Sequence, residues 1–318
     1  MATSPAIVVS GLSKNFGSLK ALSEVNFSVQ QGEIFAYLGP NGAGKTTTIR
    51  ILAGLLQRDA GEVSICGADV AQDPVLVKGC IGVVPDESNL YPELTCRRNL
   101  EYLGELYGLR RGARTIKAGD LLSRFDLADR ATTPFGALSR GLKRRLTIAA
   151  ALMHDPEVVF LDEPTVGLDV PSARALRELI RTINYRGTTV FLTTHNLSEA
   201  EVLSQRVLIL IQGRVAAQGT PEEIRHRVQR LNLLTVSFSP EIEGEHLLRA
   251  CPAVLKSCSQ NGVWRLEVAE AQAALEQLVA LARGAGVRIS EIHTITPSLE
   301  DAFMSFFEEG SPEAQVRA

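Results

Sequence analysis

Near-continuous apolar runs at Ile34–Leu38, Val158–Leu161, Thr189–Thr193 and Val207–Ile211 set the pattern of the first two thirds of the chain. Strands covered on both faces of a parallel sheet read this way, without polar alternation. Ala6–Ser10 and Val25–Gln30 are predicted as two further short strands near the start. The run at Ile34–Leu38 breaks at Gly39 into a glycine-rich loop, and helical spacing follows from Lys45 to Leu56. From about Asp86 to Asp155 polar and helical character dominates, with amphipathic runs at Arg98–Tyr107 and Ala118–Phe125. A helical insert between the first and last strands of one α/β sheet is the natural parse.

The character changes near Gly219. Thr220-Pro221-Glu222-Glu223 supplies an N-cap, a proline at the first helical position and a glutamate at the third, opening a linking helix. Beyond about Leu231 the pattern predicts a strand at Leu233–Ser239, a helix at Gly244–Ala250 and a strand at Val254–Ser259. An Asn261-Gly262 turn, a strand at Val263–Val268, a helix at Ala271–Arg283 and a strand at Val287–Thr294 complete it. The order βαββαβ is the split-βαβ, ferredoxin-like α+β arrangement, followed here by a terminal helix at about Ser298–Glu309. The expected domains are therefore residues 1–225, with the helical subdomain at about 87–155, then 231–310, then a tail at 311–318.

A length of 318 residues agrees with two domains, and 45% hydrophobic residues are enough for substantial cores, which excludes a disordered chain. The formal net charge of −3 carries no long single-sign block, so no nucleic-acid partner is expected. Cys66, Cys80, Cys96, Cys251 and Cys258 are scattered with no C-x-x-C pair; neither a disulfide framework nor a zinc site is expected, and a reducing compartment fits. No signal peptide is expected at Met1–Ser10, and no apolar stretch is long enough for a membrane span.

The glycine-rich loop carries chemistry. Gly39-Pro40-Asn41-Gly42-Ala43-Gly44-Lys45-Thr46 satisfies G-x-x-x-x-G-K-[ST] between a predicted strand and helix, with Thr47 next in line. Converging backbone amides cradle a triphosphate, and glycine permits the required φ values and close approach. Lys45 is expected to reach the β- and γ-phosphates of ATP and Thr46 to bind Mg²⁺. Val158–Leu161 ends in Asp162-Glu163: Asp162 suits the Mg²⁺ shell and Glu163 a general base that polarises water. Taken alone, two carboxylates at a strand end fit a solubilising cap equally well; the phosphate cradle tips the reading towards function.

Upstream, Leu138-Ser139-Arg140-Gly141-Leu142 opens a helix running through Ala149–Leu152. The ordered set GPNGAGKTT, LSRGLKRR, VVFLDEP, VGLD and TTH is similar to the ATP-binding subunits of ABC transporters, over nearly all of residues 6–225. The resemblance implies a P-loop NTPase cassette with a RecA-like lobe, an antiparallel β lobe and a helical subdomain. It also implies a homodimer or heterodimer of cassettes sandwiching two ATP molecules. On that basis Phe16 corresponds to the aromatic residue that stacks on adenine, although a core phenylalanine fits too. Ser139 and Gly141 correspond to the signature donors to the γ-phosphate across the dimer, Asp169 to the loop that communicates across it, and His195 to the switch histidine. Arg140, Lys143, Arg144 and Arg145 oppose the dipole of the signature helix; recruitment of ATP charge from the opposing subunit is preferred to a solvated basic face.

Tyr91-Pro92-Glu93-Leu94-Thr95, Leu106-Tyr107-Gly108-Leu109 and Pro297-Ser298-Leu299-Glu300-Asp301 resemble the daunorubicin-resistance-like branch of bacterial exporters. That branch implies ATP-driven export through a separate membrane-spanning permease, with this chain peripheral at the cytoplasmic face of the membrane. Tyr91, Leu94, Tyr102 and Leu103 fit a groove that grips a permease helix and fit subdomain core equally. Two positions depart from the family pattern. Asp86 stands where glutamine is usual, in contact with Mg²⁺, or is only a turn residue after Pro85; Arg140 stands where glycine is usual. The rival class is a soluble regulatory ABC ATPase not coupled to transport. Members acting on DNA carry long coiled coils between phosphate loop and signature, whereas about ninety residues without sustained heptads separate Thr47 from Leu138 here.

Overall fold

The four apolar runs become the centre of a six-stranded sheet in the computed structural model, which describes residues 4–228, 232–240, 251–260, 262–295 and 298–309. Contacts divide the chain into two units, one ending at Thr220 and the other beginning at Pro221.

In the first unit, β1 (Pro5–Phe16), β2 (Leu19–Gln30), β4 (Ala60–Ile65) and β5 (Ala68–Asp69) form an antiparallel sheet in the order β2-β1-β4-β5. The β1–β2 hairpin is longer than the two short runs predicted. Its register shifts between Val9 and Leu12, beside Gly11, so strict apolar alternation is lost there while the strand continues.

The six-stranded sheet runs β10-β9-β3-β8-β7-β6, from β10 (Arg214–Gly219), β9 (Arg206–Ile211), β3 (Ile34–Leu38), β8 (Thr189–Thr194), β7 (Val158–Asp162) and β6 (Ile81–Val84). All its pairs are parallel except β10–β9. Every residue of β3, β7 and β8 is buried, which is why their sequences show apolar runs rather than alternation. Phe27, Phe35, Tyr37, Phe160 and Phe191 pack around this centre with ring centroids 5.4–5.9 Å apart. Register then fixes the site: Leu38 pairs with Thr194 and Asp162 with Thr193, so three strand ends lie side by side at the carboxyl edge of the sheet. Open α/β sheets bind ligands at this edge.

Helices α1 (Lys45–Leu52) and α2 (Pro74–Cys80) follow β3 and β5. The predicted helical insert contains α3 (Cys96–Leu106), α4 (Arg111–Arg124) and α5 (Arg140–Ala151). Helix α4 starts seven residues before the run at Ala118, through Arg110 and Arg111, because it has neither a side-chain cap nor an acidic first turn to announce it. Helices α6 (Val170–Tyr185) and α7 (Leu197–Leu203) complete the unit.

The second unit begins with α8 (Pro221–Val228), which contacts the terminal helix at Leu299–Glu309. Strands β11 (Asn232–Ser239), β12 (Val254–Gln260), β13 (Val263–Val268) and β14 (Arg288–Ile295) form an antiparallel sheet in the order β12-β13-β11-β14. Each crossover thus skips one strand, as in a split βαβ unit. The helix expected at Gly244–Ala250, residue Asn261 and the tail lie outside the described residues. Leu234, Val236, Trp264, Leu266 and Val268 meet Ala274, Leu278 and Leu281 of the helix at Ala271–Ala285 in a core of its own. Ser298 and Asp301 cap the terminal helix reciprocally: Ser298 Oγ accepts from the Asp301 amide and Asp301 accepts from the Ser298 amide.

Candidate active site

The loop from Gly39 to Gly44 joins β3 to α1 in a space that admits only glycine at two points. A Cβ on Gly39 would lie 2.5 Å from the Leu210 carbonyl; one on Gly44, whose φ is +111°, would lie 2.7 Å from the Ala21 carbonyl. Gly44 is also the N-cap of α1, so no side chain occupies the first amides of that helix. Free amides together with the positive end of the dipole suit an anion. Lys45 is only 6% exposed. Its ammonium donates to the Gly39 carbonyl at 2.7 Å and pairs with Glu163 Oε1 at 3.2 Å.

Glu163 follows the last residue of β7 with a left-handed φ of +46°, a conformation costly for a residue with a side chain. Its amide donates to the Thr193 carbonyl at 3.1 Å. Its other carboxylate oxygen, Oε2, accepts from the His195 amide at 3.3 Å and lies 2.9 Å from His195 Nδ1. Glu163 is thus held between Lys45 and His195. Asp162 is buried and accepts from the Thr193 hydroxyl.

A cavity of about 690 Å³ gathers Phe16, Pro40, Asn41, Gly42, Gly44, Lys45, Thr46, Thr47, Asp86, Asp162 and Glu163. Gly39 and Ala43 adjoin its lining, accepting hydrogen bonds from Lys45 and from the Gly213 amide, and His195 reaches it through Glu163. Lys20, Gln212 and Gly213, which the sequence did not single out, line it too. Phe16 is 47% exposed with the Lys14 ammonium 5.5 Å from its ring centre, which excludes the alternative of a core phenylalanine. Lys45 suits phosphate, and Thr46, Asp86, Asp162 and Glu163 offer the hard oxygen atoms that Mg²⁺ takes.

Ser139, Gly141 and Asp169 do not line this cavity. They gather at the starts of α5 and α6. Ser139 caps α5 by accepting from the Leu142 amide, and Asp169 caps α6 by accepting from the Ser172 amide at 2.7 Å. The Ser172 bonds hold the Asp169 carboxyl below the usual range. A Cβ on Gly141 would sit 3.1 Å from Ser172 Oγ, and Arg140 Nη1 donates to the Gly167 carbonyl at 2.9 Å.

The basic cluster of α5 differs from expectation. All four cations have partners in their own chain: Arg140 the Gly167 carbonyl, Lys143 the Phe135 ring at 5.6 Å, and Arg145 the Asp126 carboxylate at 2.9 Å. Arg144 is buried, donating to the carbonyls of Pro85, Asp86, Asp162 and Pro164. Nothing in the residue pattern marks this burial, since an arginine in a basic run looks solvated.

The docking reading divides. Leu103 lines an apolar groove of about 310 Å³ with Leu55, Val83, Pro85 and Tyr107, whereas Tyr91 and Tyr102 meet edge to face at 5.2 Å outside it. The cysteines are also less scattered than they look. Cys66, Cys80 and Glu157 bring their ligand atoms within 4.8 Å of one another, and burial with the neighbouring Glu157 pushes the Cys66 thiol up to about 12.

Comparison with known proteins agrees with this geometry. The ABC transporter family matches residues 22–166, and the C-terminal domain of DrrA1-3-like ATP-binding proteins matches residues 219–306. The daunorubicin resistance ATP-binding protein DrrA3 of Streptomyces coeruleorubidus is 35% identical over 301 residues, 94% of this chain and 95% of its own. The Nod factor export ATP-binding protein I of Burkholderia lata is 42% identical over 66% of this chain and 69% of its own. A solved ATP-binding subunit of an ABC transporter aligns with a TM-score of 0.65 and 33% identity, covering 70% of this chain and 93% of that one. A dimeric cassette bound to ADP and Pi aligns at 0.62 and 27% identity, covering 67% and 98%. With the cradle, the strand-end carboxylates and both domain matches in place, the chain belongs to the ABC transporter family of ATP-binding proteins and is an ATPase of its daunorubicin-resistance-like branch.

Proposed function

We propose that this ATPase powers export of a substrate through a separate permease, at the cytoplasmic face of the membrane, as a dimer with ATP between two cassettes. The observation that carries the reading is the single cavity holding Lys45, Thr46, Asp162 and Glu163, in a chain whose full-length relative is a drug-resistance ATP-binding protein. Among the described residues no helix is long and apolar enough to cross a membrane, so a spanning partner supplies the path.

The residues divide the work. The α1 amides and Lys45 bind the triphosphate, and Phe16 stacks on the base. Lys45 is already paired with Glu163, so arriving phosphates compete for the same ammonium and free the carboxylate. Glu163 then takes the proton of the attacking water, and His195 holds Glu163 in place through its amide and ring. Thr46, Asp162 and Asp86 would hold Mg²⁺, which would supply positive charge against the phosphate oxygens. Ser139, Gly141 and Asp169 serve the nucleotide of the second cassette. The groove lined by Leu55, Leu103 and Tyr107 takes an apolar permease helix.

Lys45→Ala is expected to abolish ATP binding. Glu163→Gln is expected to bind ATP but not turn it over, leaving an ATP-locked dimer on a sizing column. A Glu163→Gln protein hydrolysing ATP at the parental rate sinks the role of Glu163. Capture from solubilised membranes that recovers no multi-span membrane protein favours a regulatory ATPase instead.

A further inference from the structure

We propose that Arg144 is a positioning residue that locks the signature helix to the hydrolytic strand end and the Asp86 loop of its own chain. Its guanidinium spans three segments. Nε donates to the Pro164 carbonyl at 3.0 Å, Nη2 to that of Asp162, and Nη1 to those of Pro85 and, at 3.2 Å, Asp86. These carbonyls flank Asp162, Glu163 and Asp86. Only a planar fork with five donors can reach so many acceptors; the ammonium of lysine is a point.

The charge is held there against burial. Arg144 is 8% exposed, and desolvation disfavours its cation, whereas Asp86, Asp162, Glu199 and Glu163 all favour it. One turn further along the same face, Thr147 Oγ1 lies 2.9 Å from Ser88 Oγ, a second tie from α5 to the same loop. Ser139 caps α5 and stands five residues before Arg144, about 7.5 Å along a rigid helix. A displacement of Ser139 is therefore carried to the carbonyls beside Glu163. Resting on the proposed dimer, in which Ser139 faces the nucleotide of the second cassette, this makes Arg144 the link by which engagement at one site aligns the carboxylates at the other.

The test uses the full chain carrying Arg144→Lys, which keeps the charge and loses the fork. ATP affinity is expected to stay within about threefold of the parent, because the cradle is untouched, while kcat falls by about tenfold or more. ATP-driven dimerisation in an Arg144→Lys, Glu163→Gln double variant is expected to need more nucleotide than in Glu163→Gln alone. Thr147→Val, which removes the Ser88 tie and keeps the volume, is expected to lower kcat in the same sense by a smaller factor. A parental kcat in Arg144→Lys, with only the melting temperature lowered, overturns the proposal. So does a fall in kcat matched by an equal loss of ATP affinity. If Arg144→Lys does not fold, a parental kcat in Thr147→Val overturns it. Absence of any ATP-driven dimer in Glu163→Gln alone defeats the proposed dimer instead, and the kcat comparison still decides whether Arg144 positions the carboxylates.

Discussion

Two helix starts face opposite electrostatic problems. Helix α1 begins at Gly44 with left-handed backbone, no side-chain cap and a buried Lys45. Helix α5 begins at an extended, capped Ser139 and packs four cations into its first turn and a half. At α1 the amides are left for a ligand, and backbone shape does the selecting. At α5 the amide end is closed by a hydroxyl, and the cations are answered by carbonyls, a carboxylate and a ring within the same chain. A motif built from backbone is thus an anion site as it stands. A run of basic side chains is not, until the partners of each have been found.

The sharpest way to break this contrast is at Gly44. With φ at +111° and an added Cβ 2.7 Å from both the Ala21 carbonyl and Leu22 Cδ2, Gly44→Ala has no room and an unfavourable backbone. A loss of about 2–4 kcal/mol in unfolding free energy is expected, together with loss of nucleotide binding. Denaturant melts and a fluorescent ATP analogue measure both. A Gly44→Ala protein that binds nucleotide normally shows that the loop does not select by shape.

Glu199 probes the counter-charges around Arg144. It is 1% exposed, and burial raises its pKa above the ordinary value; Glu163 pushes the same way, while Thr194, Thr165 and Arg177 pull it down. A raised carboxyl favours the protonated form in the fold. Its contribution to stability is therefore complete below about pH 4.5 and is lost as pH rises through the folded-state value. Glu199→Gln is expected to stabilise the protein by about 1 kcal/mol at pH 8 and by less at pH 5. Thermal unfolding at the two pH values reads the difference. Equal shifts at both remove desolvation as the cause.

Ser139→Ala opens the amide end of α5. The lost cap is expected to cost about 1 kcal/mol. If Ser139 also serves the second cassette, kcat falls further than that stability loss accounts for, with little change in ATP affinity. A change confined to stability leaves Ser139 as a cap alone.

The fold was legible where two-sided burial ran over five residues or more. The strands β3, β7, β8 and β9 were read within a residue or two because nothing polar interrupts them. The β4 and β5 strands were not, since short, half-exposed strands such as Ala60–Ile65 mix glycine, glutamate and serine with too few apolar positions, and the buried edge strand β6 was missed because its apolar run is only four residues long and holds a glycine. The gathering of Lys45, Asp162 and Glu163 in one cavity was legible because phosphate and metal chemistry ties such residues to a strand–loop–helix and a strand end. The bonds of Arg144 were not, because its acceptors are carbonyls of Pro85, Asp86, Asp162 and Pro164, and carbonyls leave no mark in a sequence. Cys66 and Cys80 were separated by sequence and joined only by the turn after β4 and the end of α2.

Arg140 gives the smallest expected effect. It stands where this family usually has glycine, so the residue type alone suggests a damaged or altered site. In the structure its side chain is exposed and makes one hydrogen bond, from Nη1 to the Gly167 carbonyl. Gly167 has a φ of +71°, and a Cβ there would lie 2.2 Å from Arg140 Nη1, so the guanidinium fills space that this glycine leaves open beside the Asp169 loop. Removing an exposed cation from the first turn of α5 also relieves its opposition to the helix dipole, a gain of about 0.3–1 kcal/mol. The lost hydrogen bond costs about as much. Arg140→Ala is therefore expected to leave stability within about 0.5 kcal/mol of the parent and ATP affinity unchanged. Arg140→Gly, which restores the usual residue, adds backbone freedom at the helix start and is expected to be slightly less stable than Arg140→Ala. Chemical denaturation and nucleotide binding on the two variants check the ranking. A larger loss of ATP affinity from Arg140→Ala than from Gly44→Ala would mean that the basic start of α5, not the glycine start of α1, is the stronger anion site.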